Sequence, residues 1–251
     1  MMTSIVRCAT GISFVMAALT AGALRQQAAP GPPTPSNPRL PPLFFTETWK
    51  QTGLERNVDN DVLTNPNLEL HLYGPASKQI QIAPTTPNNR QDPPNLWTGS
   101  CDGPVAATLR DKNNLVDLTG RAKIRWQTRS AGFHVVRPVL KLADSTWLIG
   151  DHADGDGTTE NFIETEFSIA SVRWLRLDIN TVTTVHAERQ QPPEIGRWVE
   201  KPDLSRVDEI GFADLMPGSG HGTGGYSDVA WIEVYGKSVK RDAEPQAKAT
   251  K

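Results

Sequence analysis

At 251 residues, 37% hydrophobic and 22% charged, the chain is long enough for one well-buried core and is neither disordered nor fibrous in composition. A formal net charge of −2 argues against a nucleic-acid binder, which needs enough basic surface to displace counterions from phosphates. One main domain is the expectation.

The first residues, MMTSIVR, place one arginine ahead of the nearly uncharged run CATGISFVMAALTAGAL. That run closes on Ala21-Gly22-Ala23, with small residues where a signal peptidase inspects the chain. Residues 1–23 therefore read as a secretory signal and the product as secreted or periplasmic; an uncleaved anchor is the alternative. No later segment is apolar enough to span a bilayer. Only Cys101 survives cleavage, which removes any internal disulfide and leaves a small core or turn residue. Residues 24–42 include PGPPTPSNPRLPP, an extended spacer incompatible with helix or interior strand. A domain over 43–237 follows, then a polar tail over 238–251 expected to be disordered.

Within the domain, apolar residues recur at period two. In NLELHLYG, Leu68, Leu70 and Leu72 oppose Glu69, His71 and Tyr73. KIRWQTR turns Ile124 and Trp126 inward, and Lys123, Arg125, Gln127 and Arg129 outward. VRPVLKLA turns Val136, Pro138, Leu140 and Leu142 inward against Arg137, Val139 and Lys141. Ile163, Phe167 and Ile169, then Leu175, Leu177 and Ile179, take the inward side of the next two strands. Long helical periodicity is absent, and ASVRW allows a turn or two at most. The pattern predicts an all-β, antiparallel two-sheet β-sandwich.

DLTGRAKIRW, from Asp117, and DLSRVDEIGF, from Asp203, share Asp-Leu-Ser/Thr and, at equal offsets, Ile and an aromatic. Asp with Ser or Thr caps a tight turn, Leu tucks beneath it, and the following strand drives Ile and Trp or Phe into the core. Two such starts imply two equivalent edges of one sandwich. Together with RPVLKLADSTWLIGD, FSIASVRWLRLDI and the closing SDVAWIEVYG, they resemble the successive strands of jelly-roll domains of the galactose-binding-like superfamily. The resemblance implies a module that binds carbohydrate and holds a structural calcium ion.

GSGHGTGG, Gly218 to Gly225, satisfies G-x-G-x-x-G formally, but strand rather than helix follows it, so the dinucleotide geometry is missing. It reads as a hairpin loop between EIGFADL and VAWIEVYG, glycine-rich for its backbone freedom alone; a ligand-facing loop in which His221 and Ser219 supply hydrogen bonds is the alternative. GDHADGDGTTE clusters Asp151, Asp154 and Asp156, a candidate calcium site without EF-hand spacing; an ordinary Asp-Gly turn is the plainer account. Arg125, Arg137 and Lys141 share an outward sense and suggest a groove for an acidic or polyhydroxylated ligand. Trp174 and Arg176 would supply its stacking platform and hydrogen-bond fork; cross-strand ion pairing with Glu164 and Glu166 is the simpler reading of the charges. Glu164 and Glu166 also point the same way, whereas glycoside hydrolysis needs carboxylates flanking a cleft. Among the tryptophans, Trp126 and Trp231 are assigned to the core, and Trp49, Trp97, Trp174 and Trp198 are left open to exposure. The expected function is non-catalytic binding of a glycan or polyol. Two alternatives are a sugar-processing lyase or hydrolase using Asp, Glu and His, and a docking module for a protein partner in the cell envelope.

Overall fold

The computed structural model describes residues 40–83, 92–155, 161–184, 197–220 and 225–241. The first strands are β1 (Leu43–Glu47), β2 (Arg56–Asn57), β3 (Leu68–Tyr73), β4 (Gln81–Ala83) and β5 (Asn95–Trp97). Next come β6 (Val105–Asp111), β7 (Asn114–Asp117), β8 (Lys123–Ala131), β9 (Arg137–Leu142) and β10 (Trp147–Gly150). The last are β11 (Ile163–Ser168), β12 (Trp174–Arg176), β13 (Trp198–Val199), β14 (Val207–Asp214), β15 (Tyr226–Tyr235) and β16 (Lys237–Lys240). Helix among the described residues is confined to three short 3-10 turns, one of them Ile169–Ser171 in ASVRW.

Among the described residues every strand pairing is antiparallel, and the strands divide into two layers. One sheet runs β11-β8-β15-β5-β4-β2, with β1 also on β15; the other runs β13-β12-β10-β9-β14-β6-β3, with β7 and β16 joined to it. The expected two-sheet sandwich is the fold. Ile124 and Trp126 from β8 meet Ile210 and Phe212 from β14 in a single core, each 2% exposed or less. Burial of such side chains is worth about 1.5–3 kcal/mol apiece.

The paired starts are equivalent, as their sequences imply. Asp117 Oδ1 accepts from Thr119 N at 2.8 Å and Oγ1 at 2.6 Å, and Asp203 Oδ1 accepts from Ser205 N at 3.0 Å and Oγ at 2.6 Å. One leads into β8 and the other into β14, and Leu118 N donates to Leu204 O between them. Each sheet thus receives one capped start.

Four expectations change. The glycine tract is no hairpin, because β14 and β15 belong to different sheets and the chain crosses the sandwich between them. Gly218 and Gly225 answer crowding there, since a Cβ on them would lie 2.2 Å from Gly99 O and 2.0 Å from His134 Cδ2, whereas Gly220 stands in open space and is required by its φ of +69°. The crossing is stapled underneath by buried Thr98, whose hydroxyl donates to Asp214 at 2.7 Å and accepts from Ser227 N at 2.9 Å.

The outer face of the nine-stranded sheet is not simply solvated. Leu177 and Val182, from the segment after β12, lie in a second apolar cluster with Ala106, Val139, Ile149 and Ala213. Leu175 and Ile179 pack against this cluster, so the side of that strand assigned to the core faces the second layer instead. Ile163 is 47% exposed at the start of β11, although Phe167 and Ile169 are buried as expected. Finally, the sandwich continues past residue 237: Lys237–Lys240 pairs with β7, and Arg241 donates to Asp111 O at 2.8 Å. An open strand edge, rather than hydrophobic periodicity, orders that segment. The leader, residues 1–23, and the tail beyond 241 lie outside the described residues.

Candidate functional site

β8 alternates without interruption, so Lys123, Arg125 and Arg129 project from the outer face of the seven-stranded sheet while Ile124 and Trp126 are buried. Its neighbour β15 carries a bulge between Val229 and Trp231. A bulge inserts one residue and changes which side the following residues take. Val229, Ile232 and Val234 all reach the core, and Trp231, Glu233 and Tyr235 are consequently turned outward. Trp231 is therefore half-buried on the face, not in the core.

The result is a line of rings, each beside a cation. Lys123 Nζ lies 4.8 Å from the Tyr235 ring centroid, and the Arg125 guanidinium 5.5 Å from that of Trp231. Arg129 lies 4.4 Å from Phe162 and 5.9 Å from Tyr226. Carboxylates hold these cations in place: Lys123–Glu166 at 2.8 Å, Arg125–Glu233 at 2.9 Å, and Arg125 to both Glu164 and Glu166 at 3.6 Å. Arg129 is clamped between Asp228 at 2.7 Å and Asp92 at 2.8 Å. The strip ends in a depression of about 240 Å³ lined by Trp97, Arg129, Tyr226 and Asp228.

Asp228 is 1% exposed, and burial pushes its carboxyl up to about 6 against the pull of Arg129. Its ordinary value is 3.8, so the folded protein holds this proton more tightly than the unfolded chain does. The associated stability is full below about pH 4 and falls as pH rises through 6, by on the order of 2–3 kcal/mol. Urea unfolding at pH 5 and pH 7.5 should show wild type losing more stability over that interval than Asp228→Asn. Equal losses would remove Asp228 as the titrating group.

The residues singled out in the sequence are dispersed. Arg125 belongs to the strip, whereas Arg137 and Lys141 lie on β9 in the other sheet, so the three cannot line one groove. Arg137 Nη1 donates to Gly150 O at 3.4 Å. Lys141 Nζ bonds Glu209 Oε1 at 2.8 Å, and burial of Glu209 is overcome by donors from His71, Lys141 and Thr108, which hold its carboxyl near 2. Trp174 is 2% exposed within the main core and supplies no platform; Arg176, two residues on, is half-buried at the end of β12. Their shared side is the one that faces the core.

His221 and Asp156 lie outside the described residues. Asp154 accepts from the Trp126 indole and from His152 Nε2 at 3.1 Å, while Asp151 accepts from Arg173 N at 2.8 Å. Among the described residues no three His, Cys, Asp or Glu side chains come together as a metal cluster. Cys101 is fully buried, with its thiol pushed up to about 12 by burial. Trp49 and Trp97 are buried and Trp198 is 46% exposed, its ring 3.9 Å from the Arg173 guanidinium.

Sequence alternation missed Trp231, Tyr235 and Asp228 as face residues. Asp-x-Ala-Trp-Ile-Glu-Val-Tyr does contain the signal in its second half, where Ile232 and Val234 alternate with Trp231, Glu233 and Tyr235.

An antiparallel two-sheet β-sandwich with one aromatic, ion-paired face is thus the class of protein that the chain forms. Neither family models nor curated proteins match the sequence. Among solved structures it is similar to the family 11 carbohydrate-binding module of a cellulosomal cellulase of Clostridium thermocellum, at 15% identity over 73% of this chain and 95% of that one, TM-score 0.39. It is also similar to a family 11 module of the same organism in complex with a β-1,3-1,4-mixed-linked tetrasaccharide, at 16% identity over 74% of this chain and 98% of that one, TM-score 0.40.

Proposed function

We propose that this protein is a secreted, non-catalytic carbohydrate- or polyol-binding sandwich that takes its ligand on the outer face of the seven-stranded sheet. The observation that carries the reading is the strip of Trp231, Tyr235, Tyr226 and Phe162 beside Lys123, Arg125 and Arg129. A pyranose offers C–H groups to an aromatic ring and hydroxyls to flanking charged groups, and this face supplies both side by side. Trp231 and Tyr235 stand four residues apart on one strand, about 13 Å at the usual rise, enough to engage successive parts of one chain. The strip's cations already face Glu164, Glu166, Glu233, Asp228 and Asp92, so a neutral polyhydroxylated ligand suits it better than an acidic one. Secretion rests on the pattern of the leader.

The purified full chain should retain neutral glycans on a glycan array. Trp231→Ala should then weaken the retained ligand about 10-fold, the loss of one aromatic contact of about 1.5 kcal/mol. Absence of any retained glycan, or equal affinity in the variant, would overturn the reading.

One observation favours the hydrolase or lyase alternative: His152 meets the carboxylate of Asp154 beside a cavity of about 200 Å³. Against it, that carboxylate also accepts the Trp126 indole N–H, and the His152 ring stacks on Phe167 at 4.0 Å. The arrangement is that of a packed structural pair. Release of reducing ends from a retained glycan, lost in His152→Ala, would establish the alternative.

A further inference from the structure

The aromatic strip has a closed end. Its depression is floored by Trp97 on β5, Tyr226 and Asp228 on β15 and Arg129 on β8, with Glu55 and Ala83 toward the β2 edge and Gly220 ahead of β15. The segment that crosses between the sheets makes the stop: Gly218 N donates to Cys101 O at 2.6 Å, Ser219 N to Gly225 O at 3.3 Å and Gly220 N to Gly99 O at 2.7 Å. Gly99 lies just past the end of β5 and Gly225 just before the start of β15, so backbone lies across both strand ends. A ligand running along β15 from Tyr235 past Trp231 comes to Asp228 after about 10 Å at the usual rise, and to this wall just beyond it.

The depression also holds an acceptor and a donor side by side. Asp228 accepts Arg129 Nε through Oδ2 at 2.7 Å, and its Oδ1 has no partner among the described residues. Of the five N–H groups that a guanidinium carries, Arg129 spends Nε on Asp228 and one on Nη1 on Asp92 at 2.8 Å, which leaves others for a hydroxyl. The two side chains are 15% and 1% exposed, so bonds to them form in partly desolvated surroundings, where they are stronger than in water. Two adjacent hydroxyls of a pyranose satisfy such a pair, one donating to the carboxylate and the other accepting from the guanidinium. At about 240 Å³ the space is smaller than the roughly 300–1,000 Å³ of pockets for drug-sized ligands, and it seats one sugar residue rather than several.

We propose that the strip takes its glycan by one end, with the terminal sugar residue seated in this depression and two of its neighbouring hydroxyls on Asp228 and Arg129. The inference rests on the strip being the glycan site and goes further, from the binding of a chain to the selection of its end. An internal residue would have to send its chain on through the backbone at Gly218–Gly220, and it has already lost hydroxyls to its glycosidic bonds. Trp97 and Tyr226 supply apolar surface for the C–H groups of the seated ring.

Proton–nitrogen correlation NMR of the full chain, titrated with glucose, galactose, mannose and xylose, tests it, since a seat for one residue must recognise that residue alone. At least one of these sugars should produce saturable shifts centred on the amides of Gly220, Tyr226 and Asp228. Asp228→Asn should weaken that binding about 10-fold, and Ala83→Phe, which fills the depression while leaving Asp228 and Arg129 in place, should abolish it. Amide shifts elsewhere report whether each variant keeps the native fold. The methyl glycoside of the bound sugar separates the two chain ends: binding as tight as that of the free sugar assigns the non-reducing end, and loss of binding the reducing end. No saturable shift at those amides with any of these sugars, or undiminished binding by either variant, overturns the inference. Array glycans whose retention still depends on Trp231 would then leave the strip standing as a site for chain interiors, whereas no glycan bound at all would remove both readings.

Discussion

Replacing Glu47 with leucine is expected to lower the unfolding free energy by about 3–5 kcal/mol. Glu47 is 0% exposed at the end of β1, and among the described residues its bonded partners include no cation. Its Oε1 accepts from the backbone N–H groups of Thr48 at 3.1 Å, Trp49 at 3.0 Å and Thr64 at 2.7 Å, and from the Thr64 hydroxyl at 2.7 Å. Oε2 accepts from Asn65 N at 3.0 Å. Leucine fills the space but leaves the buried Trp49 N–H and the part-buried donors of Thr48, Thr64 and Asn65 without their acceptor, and a buried unsatisfied donor costs about 1–3 kcal/mol. Glutamine keeps one oxygen for most of them and should lose less than half as much. Equilibrium urea unfolding of the three proteins distinguishes the cases; a leucine variant as stable as wild type would show that the donors find water instead.

Trp126→Ala should be comparably damaging, at about 3–5 kcal/mol. The ring is 0% exposed, 4.9 Å from the Phe167 centroid, and its N–H satisfies Asp154. Alanine therefore opens a cavity between the sheets and removes a donor from a half-buried carboxylate. Against a total stability of 5–15 kcal/mol for an ordinary domain, either loss is a large share. Trp126→Phe helps to separate the two contributions, since it removes the N–H entirely but keeps most of the packing. Calorimetric midpoints should fall in the order wild type, phenylalanine, alanine; an alanine variant that melts with wild type would place the ring outside the cooperative core.

The fold was legible where one face of a strand meets the core and the other meets water. β8 is such a strand, and its alternation from Lys123 to Arg129 holds residue by residue. β9 is not, because Val139 on its outer side is covered by chain that returns from beyond β12. Periodicity within six residues carries no information about a segment some forty positions later. For the same reason the sidedness of Arg125 and of Arg137 was readable, each relative to its own strand, while their assignment to different sheets was not. Turn chemistry was the most informative local signal: Asp117 and Asp203 cap their turns as their sequences imply. The glycine tract misled because a crossing between layers and a tight reversal within one draw on the same residue.

The doubled position at Ala230 and Trp231 separates two properties that are normally locked together in a strand, its length and the side each residue occupies. Loss of Ala230 would leave Val229 and Ile232 inward with Trp231 still outward between them, a shorter and regular strand of the same sidedness. Loss of Ile232 would instead exchange interior and solvent along the remainder. Insertions and deletions in this stretch are therefore filtered by location, and Ala230 is the point at which the ladder can change count without turning its wettable surface inside out.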